Sequence, residues 1–361
     1  MSGTRITRAT TASRIAAAVA VVLAVLLIAA PWWGSTATLR LVGEMMVYIA
    51  LASLWNLLAG YSGLVSVGQQ AYVGLGVYIT VTVSVLLKWH PYFSIPLAGV
   101  AAALLAVPIA ALVFRLQGAY FAIGTWVVAE VFRLTAAQLG SVGLGGGSGT
   151  SIPTATMQLI APGKFWREAS IYWLLLLLGL GALALVYSLL RSRIGLALTA
   201  IRDSEIASSS LGINISRIKY AVYIAVAGMT GMVGSLIALQ KIRVSPDAAF
   251  SVNDWTAVVI FIVVIGGIGT IEGPVVGTLV YFLLREYLAD LGPAYLMILG
   301  ALAIAIMLVA PQGLWGFVKQ RFGLSLFPTG YHVADAAGAG DDTISAQPAR
   351  APLPYQGAPQ P

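Results

Sequence analysis

The stretch IYWLLLLLGLGALALVYSLL, residues 171–190, contains twenty consecutive residues without a charge. A helix rises about 1.5 Å per residue, so a run of this length spans the roughly 30 Å hydrocarbon core of a bilayer. Similar runs recur along the chain, in which only 9% of residues are charged and the mean hydropathy is +0.91. A soluble domain carries roughly 25% charged residues. The sequence therefore predicts an all-α, polytopic transmembrane helical bundle of about ten spans.

The positions of the basic residues predict the orientation of this bundle. The predicted spans are residues 15–31, 40–58, 65–87, 95–114, 119–137, 171–190, 218–239, 254–269, 274–289 and 293–311. With the N-terminus inside, the cytoplasmic side receives Arg5, Arg8, Arg14, Arg115, Arg191, Arg193, Arg202, Arg217, Lys219, Lys319 and Arg321. The other side receives Arg40, Lys88, Lys164, Arg167, Lys241 and Arg243. Because cytoplasmic loops carry an excess of Lys and Arg, both termini are predicted to lie inside.

Three regions follow from these spans. Residues 1–14 form a basic cytoplasmic N-terminal tail, residues 15–318 the transmembrane domain, and residues 319–361 a cytoplasmic tail. The last tail is poor in large apolar residues and is predicted to be largely disordered. The transmembrane domain contains two long connections, an outer glycine-rich loop at 138–170, which is predicted to be flexible, and a cytoplasmic loop at 191–217.

The cytoplasmic loop has a pattern of its own. Four apolar residues follow the spacing of one helix face, namely Ile194, Ala197, Leu198 and Ile201. Asp203 is the expected cap of a second helix, with Glu205 in its first turn and Gly212 as its stop. The spacing predicts a capped helix of about two turns on the cytoplasmic face. The alternative interpretation is an ordinary solvated loop.

Polar and charged residues inside the spans are the candidates for a translocation path or a helix break. They are Asn56, Ser66, Gln69, Gln70, Glu130 and Arg133. Glu130 and Arg133 are three residues apart, so they either pair on one side of a helix or line a hydrated pathway. The third span also holds several glycines, which indicate either a broken helix beside a path or tight helix packing.

A ladder of small residues lies between the eighth and ninth predicted spans. Gly269, Gly273 and Gly277 are four residues apart and surround Pro274. Such ladders pack helices closely, and packing is the favoured interpretation over a gating hinge.

Nucleotide, metal and catalytic signatures are missing from the sequence. The glycine run at 143–149 is not followed by the Lys-Ser or Lys-Thr pair of a phosphate-binding loop. The chain has no cysteine and only two histidines, so neither a metal site nor a catalytic constellation can be assembled. The predictions are no enzyme activity, no cofactor and no nucleic-acid partner; if ATP is used, another chain binds it.

Four blocks of sequence carry a family resemblance. They are LWNLLAGYSGLVSVGQQAYVGLGVY at 54–78, GAYFAIGTWVVAEVFRL at 118–134, RSRIGLALTAIRDSEIASSSLGINISRIKY at 191–220 and VIGGIGTIEGPVVGT at 264–278. In this order, over about residues 41–318, the chain resembles the permease subunits of branched-chain amino-acid (LIV-type) ABC importers, specifically the longer of their two permease types. The resemblance implies ATP-driven import of branched-chain or other small amino acids across a bacterial inner membrane.

The third block resembles the EAA-type loop that such permeases present to their ATP-binding subunits. The resemblance assigns this coupling role to Arg202, Asp203, Glu205, Ala207, Leu211 and Gly212. Ile206 replaces the first of two alanines usual in that motif. The partners implied are two ATP-binding subunits, a second related permease and an extracytoplasmic solute-binding protein, all acting in or at the lipid bilayer.

Three alternatives remain open at this stage. Related permeases carry urea, short amides or other small polar solutes. From a different class, the chain would be an ion-coupled secondary carrier or channel that uses Glu130 and Arg133. A membrane enzyme is the third alternative, and the missing catalytic constellation weighs against it.

Overall fold

The computed structural model describes residues 5–7, 11–161, 163–288, 294–310, 312–322 and 332–334. In this part of the chain the α-helices are α1 Thr11–Trp33, α2 Thr36–Asn56, α3 Gln69–Val81, α4 Ser94–Val113, α5 Ala119–Ala137, α6 Thr154–Gln158, α7 Lys164–Leu190, α8 Arg193–Asp203, α9 Glu205–Ser210, α10 Ile215–Lys241, α11 Pro246–Ala249, α12 Val258–Gly266, α13 Gly273–Leu288, α14 Ala294–Val309 and α15 Gly313–Phe322. The strands are β1 Arg5–Thr7, β2 Thr150–Ser151, β3 Arg243–Val244 and β4 His332–Ala334, with β1 antiparallel to β4 and β2 to β3. The predicted all-α polytopic class is confirmed.

Eight helical stretches within the described residues are long and apolar enough to cross a membrane. They are Thr36–Tyr61, Gln69–Leu86, Pro91–Val113, Ala119–Ala137, Lys164–Leu190, Ile215–Lys241, Pro246–Gly266 and Met297–Arg321. The apolar part of α1, Ala18–Trp33, and the 16-residue α13 are shorter. The count of ten spans therefore stays a prediction.

Helices α2, α3 and α10 form the centre of the bundle, and most of their residues are buried. Small residues allow α3 and α10 to touch through their backbones. A Cβ atom added at Gly76 would overlap the carbonyl oxygen of Gly231, and one added at Gly234 would overlap that of Val73. Because lipid tails are as apolar as leucine, close van der Waals packing of this kind is the main source of helix association in a bilayer.

Three hydroxyl groups reinforce the same centre. The Ser235 Oγ of α10 lies 2.7 Å from the Thr80 Oγ1 of α3 and 2.7 Å from the Ser94 Oγ of α4. All three side chains are fully buried. Buried hydroxyl groups are costly unless they are hydrogen-bonded, so this cluster fixes the relative positions of the three helices.

A second glycine contact joins α12 to α13. A Cβ atom at Gly277 would overlap the carbonyl oxygen of Ile262, and one at Gly266 would overlap that of Gly273. Arg285 of α13 also pairs with Glu44 of α2 at 3.0 Å. Helix α13 is thus held to the bundle by backbone packing and by an ion pair between residues 241 positions apart.

One end of the bundle, here called the outer end, is covered by the glycine-rich connection. Residues 150–151 pair with β3, and Leu144, Ile152 and Met157 are buried. The Thr156 Oγ1 also donates to the carbonyl oxygen of Ser84, 3.1 Å away. The loop that the sequence analysis treated as flexible is folded onto the bundle because these apolar side chains remove surface from water.

The opposite end, here called the inner end, carries the connection of residues 191–217. The distribution of basic residues predicts that this end lies in the cytoplasm. Helix α15 runs across the predicted boundary at 318/319, and β4 pairs with β1. The predicted disorder of the tail falls mainly on residues 323–331 and 335–361, which lie outside the described residues.

Replacing Gly76 by alanine tests the close approach of α3 and α10. We expect the variant to lose about 1–3 kcal/mol of stability, because the added methyl group overlaps backbone rather than a movable side chain. Thermal unfolding of the protein in detergent micelles measures this as a lower Tm. Gly181→Ala is the matched control, since a Cβ atom there meets nothing within 4 Å. Equal Tm values for the two variants would contradict the packing described above.

Candidate coupling site

Helix α8 lies against the inner end of the bundle with part of the predicted apolar face inward. Leu198 and Ile201 are fully buried, whereas Ile194 is 45% exposed. Gly195 permits the contact, because a Cβ atom there would overlap the carbonyl oxygen of Leu190. The amphipathic segment expected from the spacing is therefore a helix packed on α7.

Helix α9 is the short capped helix expected after α8, but its cap is a different residue. The Ser204 Oγ accepts from the backbone N–H of Ala207 at 3.2 Å. Asp203, the expected cap, is the last residue of α8 and pairs with Arg202 at 3.1 Å. Ser204 takes this role because it has the extended backbone, φ −162° and ψ 112°, that an N-cap requires.

Gly212 ends this segment as the sequence predicts. Its φ of +80° lies in the left-handed region that favours glycine. Two apolar side chains around the helix are strongly exposed: Ile206 is 83% exposed and Leu211 is 80% exposed. Together with the exposed Ala207, these side chains form what we call the docking face. An apolar patch on a polar loop is typical of a protein interaction site.

Glu205 lies next to the docking face but is engaged in an ion pair within the chain. Its carboxylate pairs with the Lys219 ammonium group of α10 at 2.5 Å, and the Lys219 side chain is only 13% exposed. The ion pair ties the first turn of α9 to α10. Beside it lies a cavity of about 920 Å³, whose other wall includes Arg115 and Gly118 of the α4–α5 turn.

Asn56 lies at the inner end and not in an open path. Its Nδ2 donates to the carbonyl oxygen of Thr270 at 2.7 Å, and its Oδ1 accepts from the backbone N–H of Gly269 at 2.8 Å. Both polar atoms of the amide are thereby used. The Arg202 guanidinium approaches the same place, where its Nη1 donates to the carbonyl oxygen of Gly60 at 3.4 Å.

The small residues at 269–277 divide between a turn and a helix contact. Gly269 has a φ of +74° and forms part of the α12–α13 turn, whereas Gly273, Pro274 and Gly277 are buried in α13. Gly273 and Gly277 both belong to the backbone contact with α12. The geometry of these residues is that of close packing.

The chain is not helical at residues 63–68, between the π-helical segment Leu57–Tyr61 that follows α2 and the start of α3. The predicted third span, 65–87, is helical only from Gln69. The Trp55 Nε1 donates to the carbonyl oxygen of Ser66 at 2.8 Å, and the backbone N–H of Val67 donates to the Thr125 Oγ1 at 3.0 Å. These bonds satisfy part of the irregular backbone, which is tolerated at membrane depth only where protein or water surrounds it.

Two glutamines follow this break in the interior of the bundle. The Gln69 Nε2 donates to the carbonyl oxygen of Leu51 at 3.0 Å, and the Thr256 hydroxyl donates to the Gln70 Oε1. The Gln69 Oε1 and Gln70 Nε2 are buried and make no hydrogen bond within the described part of the chain. Thr256 lies in a π-helical segment, Asn253–Ala257, and such segments are frequent at functional sites.

Glu130 and Arg133 form the predicted pair, with an Arg133 Nη2 to Glu130 Oε1 distance of 2.6 Å. The Arg133 Nη1 also pairs with Asp247 of α11 at 2.5 Å. This ion-pair cluster joins α5 to α11 near the outer end, whereas Asn56 is bonded to the α12–α13 turn at the inner end. The six candidates for a path or helix break therefore do not converge on one site.

No pattern in the sequence predicts which residues these candidates contact. Lys219 is 14 residues from Glu205, and Thr270 is 214 residues from Asn56. Periodicity within one helix relates residues three or four apart, so it cannot predict contacts between different elements.

Comparisons with known proteins identify the family. A family model described as branched-chain amino acid transport system, permease component, matches residues 37–311. The chain is 30% identical over 325 residues to the high-affinity branched-chain amino acid transport system permease protein LivM of Escherichia coli K12, covering 84% of this chain and 76% of that protein. Identity to the LivM protein of Salmonella typhimurium LT2 is 29% over 323 residues, covering 84% and 75%. No solved structure matches the chain. Since the family model spans well over half of its length, the chain belongs to the permease-component family of branched-chain amino-acid transport systems.

Proposed function

We propose that this chain is the membrane-spanning permease subunit of an ATP-driven importer that carries branched-chain amino acids delivered by a solute-binding protein. The observation that supports this most strongly is the family match over residues 37–311, together with relatives named for high-affinity branched-chain amino acid transport. We place the chain in a bacterial inner membrane as a multi-pass protein.

The proposed partners divide the work of transport among several chains. Two ATP-binding subunits would hydrolyse ATP, a second related permease would complete the path, and an extracytoplasmic binding protein would select the solute. The exposed apolar residues Ile206 and Leu211 support a docking role for the loop around α9. A groove in an ATP-binding subunit that covers them would remove this apolar surface from water.

The interior polar groups are the proposed lining of the path. Ser66, Gln69 and Gln70 follow the helix break and are buried between α2 and neighbouring helices. Buried amide atoms require hydrogen-bonding partners, and a polar solute or water passing this point would supply them. Glu130 and Arg133 lie on the outer side of the same proposed route, beside Asp247.

Uptake measurements test this function directly. The chain, reconstituted in proteoliposomes with its ATP-binding subunits, second permease and binding protein, is expected to accumulate labelled leucine, isoleucine and valine. Uptake should require both ATP and the binding protein, and it should persist when ionophores dissipate ion gradients. Competition by excess urea or acetamide, with no competition by leucine, would instead identify a small-amide importer. Gradient-driven uptake by the isolated chain would contradict the proposal.

Charge placed on the docking face tests the proposed role of α9. The double variant Ile206→Glu and Leu211→Glu is expected to lower co-purification of the ATP-binding subunits by about tenfold or more, because the interface would bury two unpaired charges. Ser148→Glu is the matched control, since it adds a carboxylate to an exposed position at the outer end. Undiminished co-purification of the double variant would contradict docking through this face.

A further inference from the structure

Three segments meet at the inner end of the bundle around the carbonyl group of Gly60. They are the end of α2 with its π-helical extension Leu57–Tyr61, the α12–α13 turn, and the last turn of α8. We call the meeting point the inner hub and define it by Asn56, Gly60, Arg202, Gly269 and Thr270. None of these segments is adjacent to another along the chain.

The first contact of the inner hub joins α2 to the α12–α13 turn. The Asn56 side chain is 99% buried and binds the turn through two hydrogen bonds, to the Gly269 N–H and the Thr270 carbonyl oxygen. A donor and an acceptor used together fix both the position and the register of the turn. Breaking this pair would leave two partly buried backbone groups of the turn without these partners, which is unfavourable.

The second contact is a close approach of two backbones. A Cβ atom at Gly60 would overlap the Asn56 Oδ1 and lie 2.6 Å from the backbone nitrogen of Gly269. There is thus no free space between the end of α2 and the turn. A displacement of one backbone segment must move the other.

The third contact connects the docking loop, which is the connection of residues 191–217 that carries α9, to this pair. Arg202 donates from Nη1 to the Gly60 carbonyl oxygen at 3.4 Å, and a Cβ atom at Gly269 would lie 3.3 Å from the same Nη1. Arg202 is separated from the first residue of α9 by Asp203 and the cap residue Ser204. A force applied to α9 therefore reaches the inner hub through two intervening residues.

We infer that Arg202 and Asn56 are positioning residues that transmit displacement of the α9 docking loop to α2 and the α12–α13 turn. Without them, α8 and α9 would act on the bundle mainly through α7 and α10, to which they are joined covalently. The inner hub adds a route to α2, which is central, and to α12 and α13, which pack on it. This inference rests on the proposed function, since it assumes that an ATP-binding subunit moves α9.

Arg202→Gln in the complete importer tests the route. The variant keeps all three side chains of the docking face, and co-purification of the ATP-binding subunits and ATP hydrolysis are measured beside uptake, so that a loss of assembly is separated from a loss of coupling. Solute uptake per ATP hydrolysed should fall about fivefold or more, the order expected when coupling between two elements is weakened. Arg217→Gln is the matched control, because Arg217 is an exposed basic residue of the same connection outside the inner hub. An unchanged ratio in the Arg202 variant, with a functional wild-type importer, would overturn the inference alone. A wild-type importer without ATP-dependent uptake would overturn the proposed function instead.

A distance measurement in the otherwise wild-type chain keeps the inference testable if the variant fails to assemble. The sequence has no cysteine, so spin labels can be attached at Ser209→Cys and Ile268→Cys alone. Electron-spin distance measurements should give the same separation with and without bound ATP, because the inner hub moves the loop and the turn together. A separation that changes on ATP binding would show that the loop moves independently of the turn.

Discussion

The absence of water inside the bilayer is the constraint on which the rest of this structure depends. Polar groups there must find their hydrogen-bonding partners within the protein, and helices gain little from burying apolar side chains against one another. The backbone contact between Gly76 of α3 and Gly231 of α10 meets the second condition, and the Thr80, Ser94 and Ser235 hydroxyl groups meet the first. The centre formed in this way holds the helices whose ends carry the glycine-rich loop at the outer end and the docking face at the inner end.

The same constraint explains why buried polar side chains hold the irregular backbone between α2 and α3 and at the α12–α13 turn. Between α2 and α3, Trp55 and Thr125 provide hydrogen bonds to the non-helical chain. At the α12–α13 turn, Asn56 does so with one buried amide. Asn56 thereby joins the turn to α2, and Arg202 of the docking loop donates to the Gly60 carbonyl oxygen in the segment that follows α2. The hydrogen bonds that supply partners for the irregular backbone are therefore the same ones through which we propose that movement is transmitted.

Local sequence patterns predicted the features that depend on neighbouring residues. The length of the apolar runs predicted the all-α class, and an acidic residue in the first turn with a glycine stop predicted the short helix that is α9, ended by Gly212. The cap was assigned to Asp203, although Ser204 has the required extended backbone, because the sequence does not show which residue leaves the helix first. The Glu205–Lys219 ion pair and the hydrogen bonds of Asn56 join separate elements, so no rule on residue spacing within one helix predicts them. The outer loop was expected to be flexible because its glycines obscured three apolar residues that anchor it, Leu144, Ile152 and Met157.

The central claim is that the docking face and the glycine-rich loop lie on opposite sides of the membrane, with the docking face in the cytoplasm. Because the chain has no cysteine, single variants Ser209→Cys and Ser148→Cys can each be labelled without background. A membrane-impermeant maleimide applied to intact spheroplasts should label position 148 and leave position 209 unlabelled until the membrane is opened. Labelling of position 209 from outside in sealed spheroplasts would contradict the account, because no ATP-binding subunit could then reach α9.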